Sequence, residues 1–141
     1  MKNVIAERVD VWAASIKDEP GALAKVLNDL RDVGADLDFI IARRSAEEPG
    51  TGVVFLTPLR GDEEVDAAAM LGFNATSSVQ SVRVEGDNEA GVAAMLTEKL
   101  SAAGLNLRGL SAAVLGTRFI IYIGLDSAAD ADQAVEILRQ E

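Results

Sequence analysis

The chain has 141 residues, of which 49% are apolar, 26% charged and 4% aromatic, with a formal net charge of −10 and neither cysteine nor histidine. This composition suits a packed interior rather than a disordered chain, and the acidity argues against nucleic acid and anionic membrane surfaces as partners. Without Cys or His the chain lacks the usual ligands of zinc, haem and iron–sulfur clusters and the base of most hydrolytic triads, so neither metal nor cofactor is expected.

The leader MKNVIAER precedes an alternation of Trp12, Ala14 and Ile16, which reads as a strand of period two with Trp12 turned to the core. The loop KDEPG at 17–21 opens an amphipathic helix whose apolar positions are Leu23, Val26, Leu27, Leu30 and Val33. Gly34 stands where a left-handed residue closes a helix. Extended segments follow at 36–44 and 53–59, the second apolar almost without alternation, as a central strand covered on both faces would be. A second helix is expected over 61–72, with Asp62, Glu63 and Glu64 in its first turn, where carboxylates suit the helix dipole.

The pattern then recurs. Residues 18–37 align without a gap on 88–107, matching Glu19 to Glu89, Gly21 to Gly91, Ala24 to Ala94, Leu30 to Leu100, Gly34 to Gly104 and Leu37 to Leu107. Val82 and Val84 alternate ahead of the second loop, and Ala93, Leu96, Leu100 and Ala103 repeat the helical stripe. Extended segments at 106–115 and 119–125 and a helix over 127–140 complete the second copy. The order is β-α-β-β-α twice, without a strand after the last helix. Residues 73–80 offer a sixth element to the first copy, and residues 3–8, in the same register before it, are expected to complete the second.

The fold class expected is therefore α+β: two ferredoxin-like βαββαβ units in tandem, antiparallel sheets with helices on one face, divided as residues 1–72 and 73–141. The run IKDEPGAL at 16–23 resembles the signature of the ACT domain, a small ligand-binding module of amino-acid metabolism. The match rests on Asp18, Pro20, Gly21, Leu23 and Gly34; the second copy keeps Gly91 but has Asn88-Glu89-Ala90 where the family places a proline before the glycine. The resemblance implies a stand-alone tandem ACT protein that binds an amino acid near the strand-to-helix loop and the second strand of a paired unit.

The residues themselves are compatible with that chemistry. A helix N-terminus offers unpaired N–H groups to a carboxylate, and Gly21 lets a ligand approach the backbone. Asp18 and Asn88 offer oxygen acceptors to an α-ammonium, although both are also good helix N-caps. The candidate ligand-binding set is Asp18, Glu19, Pro20, Gly21, Ala22, Leu23, Asp38, Asn88, Glu89, Ala90, Gly91 and Arg108. Asp36 and Asn106 begin the second strands beside Asp38 and Arg108. Arg43 and Arg44 read as edge-protecting cations, and the DEEVD run at 62–66 as dipole matching rather than a metal site.

No nucleophile and base are readable as a pair, so a non-catalytic regulatory protein is expected, with an amino acid as ligand, a homodimer as its assembly and a regulated enzyme or other protein as partner. The alternative is an interaction scaffold of the same fold with a silent pocket. The longest apolar run, 119–125, is far below the roughly 20 residues of a membrane-spanning helix, and charge interrupts the N-terminus too early for a signal sequence. A cytoplasmic location is expected.

Overall fold

The computed structural model describes residues 1–73 and 79–140. Its elements are β1 (Ile5–Lys17), α1 (Ala22–Asp32), β2 (Phe39–Arg44), β3 (Thr51–Thr57), α2 (Gly61–Met70), β4 (Val79–Asp87), α3 (Val92–Ala102), β5 (Leu107–Leu115), β6 (Arg118–Leu125) and α4 (Ala128–Arg139). They form two compact units, one of Asp10–Ser78 and the other of Met1–Val9 together with Val79–Glu141. These are called here the first-repeat and second-repeat units. The strand β1 is thus divided: its first five residues serve one unit and the remainder the other.

In the first-repeat unit the strands run in the order β2-β3-β1, all antiparallel, with Trp12 opposite Leu56, Ala14 opposite Val54 and Ile40 opposite Leu56. Alternation then decides the faces. Ala14, Val54 and Leu56 point to the side on which Val26 and Leu30 of α1 and Ala68 of α2 are buried, and Trp12, Ile16 and Leu23 pack against that cluster. Full burial of one such aliphatic side chain stabilises by about 1.5–3 kcal/mol. Leu30, Val54 and Leu56 are completely inaccessible.

The second-repeat unit is ordered β1-β4-β6-β5, with β4 antiparallel to β6 and β6 antiparallel to β5. The N-terminal part of β1 therefore takes the place of the strand that the second copy lacks, and the ferredoxin-like arrangement is complete. Ala6 of β1 is buried in the same cluster as Val82 and Val84 of β4, Phe119, Ile121 and Ile123 of β6, Leu96 and Leu100 of α3, and Ala134 and Leu138 of α4. Both units are α+β with their helices packed on one sheet face, as the sequence pattern implies.

Several local expectations need revision. Asp18 and Asn88 do not cap the helices: Gly21 and Gly91 occupy the N-cap positions in the left-handed conformation, with φ of 87° and 81°, and no side chain caps either helix. Ala103, expected on the buried stripe, is exposed, because Val92 rather than a fourth turn completes that face. In β3, Val53 and Phe55 are only half-buried, so the strand is covered on one face. Of residues 73–80, Phe73 is fully buried in the first-repeat core and Val79 and Gln80 begin β4 of the other unit, while 74–78 lie outside the described residues.

Candidate functional site

The second strand-to-helix loop borders a cavity of about 460 Å³ within its own unit. The loop residues Asn88, Glu89, Ala90 and Gly91 form one side and Val92, Ala93 and Ala94 of α3 the floor. Across from them stand Ala112, Ala113 and Val114 of β5, with Phe119 and Ile121 of β6 at the back. The alanines leave the space and the larger side chains bound it.

The loop is held by its backbone. Asn88 N–H donates to Thr117 O at 2.8 Å and Asp87 N–H to Lys2 O at 3.0 Å. Asp87 also accepts from Asn3 Nδ2 at 2.6 Å and from Arg118 Nη1 at 3.0 Å. Those hydrogen bonds, from Asn3 first and then Arg118, hold the Asp87 carboxyl below its ordinary pKa. In the first turn of α3, Val92 N–H reaches Glu89 O at 3.2 Å and Met95 N–H reaches Gly91 O at 3.0 Å. No side chain closes the turn, in contrast to α4, where Ser127 Oγ accepts from Asp130 N–H at 3.1 Å.

The first loop has the same backbone plan. Asp18 N–H donates to Gly50 O at 3.0 Å and Lys25 N–H to Gly21 O at 3.0 Å. Its side chains differ, since Arg44 Nε of β2 lies 2.9 Å from Asp18 Oδ2. The expected residues Asp18, Glu19, Pro20, Gly21, Ala22 and Leu23 thus sit together at the start of α1, with Arg44 beside them. Asp38 stands apart from that loop, just ahead of β2, its N–H bonded to Thr57 O at 2.9 Å and its carboxylate 3.9 Å from Arg60 Nη2. Arg108 is an exposed residue of β5 at an irregularity between Leu107 and Gly109 and does not line the cavity.

Sequence reasoning missed Val92, Ala93 and Ala94 of α3 and Ala112, Ala113, Val114, Phe119 and Ile121 of the facing strands. The signal was available in the duplication: seventy positions after Ala42 and Arg44 stand Ala112 and Val114, and Arg44 contacts the first loop.

The sheet face away from the helices carries different side chains in each unit. In the first-repeat unit Ala13 and Ile41 flank Phe55 across the strands, and the Arg43 guanidinium lies 6.0 Å from the Phe55 ring centre. In the second-repeat unit Arg83 donates to Tyr122 Oη at 3.1 Å and to Glu85 Oε1 at 3.0 Å, and Arg118 Nη2 lies 3.7 Å from Glu85 Oε2. The bond from Arg83 holds Glu85 below the ordinary carboxylate range. Burial alone would lower the Arg83 pKa, but its bonds to Glu85 and Tyr122 raise it.

The fold defined by these elements, two tandem ferredoxin-like units, recurs in solved structures across nearly the whole chain. A protein from Bacteroides thetaiotaomicron superposes with a TM-score of 0.77 at 15% identity, over 93% of this chain and 88% of that one. The ligand-free regulatory subunit of aspartate kinase from Thermus thermophilus gives 0.61 at 20% identity, over 97% of each chain. The corresponding subunit from Thermus flavus gives 0.58 at 20% identity, again over 97% of each. No protein-family model matches the chain, and no match was found among curated protein sequences. At these identities the likeness establishes the fold.

Proposed function

We propose that the protein is a non-catalytic regulatory protein that binds a free amino acid at the strand-to-helix loop. The observation that carries this reading is the uncapped start of α3 opening beside a cavity of about 460 Å³. The open N–H groups of the turn suit an α-carboxylate, and the Asn88 and Glu89 side chains offer oxygens to the α-ammonium. Regulatory subunits of aspartate kinase share the fold over 97% of their length, which supports a regulatory role. Ligand acts by binding more tightly to one arrangement of the protein than to another, so that the populations shift.

The edge strand β5 supports a homodimer as the working assembly. Leu110, Val114 and Leu115 are exposed on it, and no charged residue follows Arg108 before the strand ends. Unpaired edges of this kind are templates for another strand. A regulated enzyme is the further partner this reading calls for, and the cytoplasm its place of action. The alternative, an interaction scaffold, is favoured by the sheet face around Phe55, where Ala13, Ile41 and the Arg43 guanidinium meet.

The test is the melting temperature of the protein against each of the twenty amino acids at millimolar concentration. A ligand specific for the folded state adds RT ln(1 + [L]/Kd), about 2.7 kcal/mol at a hundredfold excess over Kd. A shift with one amino acid or a related few is expected. If none shifts the transition, the sensor reading fails and the scaffold stands.

A further inference from the structure

We infer that the two loops have diverged in function, so that each chain takes one ligand, in the second-repeat unit, and that this ligand is an amino acid with an aliphatic side chain. The inference rests on the amino-acid-binding reading above and names the ligand class and the stoichiometry. The internal duplication supplies the comparison. In the first-repeat unit the loop acceptor Asp18 is held at 2.9 Å by Arg44 of the facing strand. Seventy positions on, the same two places are occupied by Asn88 and Val114. An ion pair in one unit is replaced by a neutral amide and a short apolar side chain in the other.

The consequence is seen in the walls. Val114, Phe119, Ile121 and Val92 bound the second-repeat cavity, and among the described residues that line it Glu89 of the loop is the one ionisable group. A ligand side chain lying between α3 and β5 meets methyl and ring surface. Burying a charge or an unpaired hydroxyl against α3, β5 and β6 carries a desolvation cost that no lining residue of those three elements offsets, whereas aliphatic surface gains with each methylene. The amino acid with the better fit is therefore neutral and branched or straight-chain aliphatic, and lysine, aspartate and serine fit these walls less well.

The experiment is calorimetric titration of the full chain with isoleucine, leucine, valine and methionine, and separately with lysine, aspartate, serine and threonine. Wild type, Val114→Arg and Arg44→Val are compared. Val114 is 54% exposed, so arginine there is compatible with folding. The expected result is binding of one or more of the aliphatic set at one site per chain. Val114→Arg should weaken it at least about tenfold, the scale on which a pocket discriminates one methylene, and Arg44→Val should leave the wild-type site unchanged. Binding of the polar set alone overturns the ligand class while the amino-acid reading survives. Two equal sites, or aliphatic binding indifferent to Val114→Arg, overturns the placement. If neither set binds, the amino-acid reading itself falls and the inference with it.

Discussion

The two units solve the same packing problem with opposite choices at matching places. Ile16 of β1 stands opposite Gly52 of β3; in the second repeat Gly86 of β4 stands opposite Phe119 of β6. The large partner has changed strands. A Cβ on Gly52 would lie 3.0 Å from Arg43 O, and one on Gly86 would lie 2.7 Å from the Phe119 ring. Each pair fills its layer with one bulky and one absent side chain, so neither unit tolerates the other's residue on one strand alone. In the second repeat the bulky partner is also a cavity wall. A packing exchange in the sheet thereby changed what the adjoining loop faces.

The largest expected effects lie in the cores, where the units should behave alike. Leu30 and Leu100 are matched positions on α1 and α3, both fully buried. Truncation of either to alanine should cost about 2–5 kcal/mol, the transfer loss plus the cavity left behind. Urea unfolding measures this, with fluorescence of Trp12, the sole tryptophan, reporting on the first-repeat unit and circular dichroism on both. A cost below about 1 kcal/mol at one position but not the other would show that the two cores are not equivalent.

The exchange pair gives the next effect. Gly86→Ala should destabilise by about 1–3 kcal/mol through overpacking against Phe119. Combining it with Phe119→Leu should recover part of that loss, since the two sites share one contact and are not additive. Absence of any recovery in the double variant would place the strain at Lys2 O, 3.1 Å from the same added carbon, rather than at the ring.

Much of this was legible in the sequence, and for one physical reason: period. The stripe of Val26 and Leu30 on α1, the alternation of Val82 with Val84, and Gly34 and Gly104 after α1 and α3 are local patterns that the fold obeys. The missing strand of the second copy was also readable, because a unit of five elements leaves a sheet position that the leader fills. The cavity was not readable from the loop motif. It depends on which residues the facing strands present, and the hairpins of the two repeats differ in length: Arg44 pairs with Gly52, but Val114 pairs with Phe119. The offset that aligns the loops and second strands fails by three residues at the third strands, where Phe119 and Ile121 lie. The loop richer in motif, with Pro20, proved to be the one whose acidic group has a cation beside it.

Acid should separate the open faces. Glu85 and Asp87 of the second-repeat unit have lowered pKa values, the first through Arg83 and the second through Asn3 and Arg118. A carboxylate whose folded pKa lies below its unfolded value contributes stability above the unfolded pKa, and loses it as the pH falls through the folded one. The second-repeat unit should therefore lose stability between the ordinary carboxylate range and these lower values. Both groups are partly exposed, with 27% and 43% of their side chains accessible, so the effect is modest and weakened by salt. Glu85→Gln should flatten the acid limb of the melting temperature measured against pH; an unchanged limb would mean that the Arg83 pair is present but does not contribute.

The smallest expected effect concerns the ion pair that distinguishes the loops. Arg44 is 85% exposed in its side chain and Asp18 36%, so their contact is a surface salt bridge, contributing about 0–1 kcal/mol. Asp18→Asn makes the first loop resemble the second at its acceptor and should change stability by less than about 1 kcal/mol. Arg44→Val removes the cation and leaves Asp18 free in water, with a similarly small effect. If amino-acid affinity is unchanged in both while Val114→Arg reduces it, the first loop is a structural turn that keeps an ancestral sequence. If instead Asp18→Asn abolishes binding at unchanged stability, the ion pair is part of a ligand site, and the difference between the units is one of ligand class rather than of occupancy.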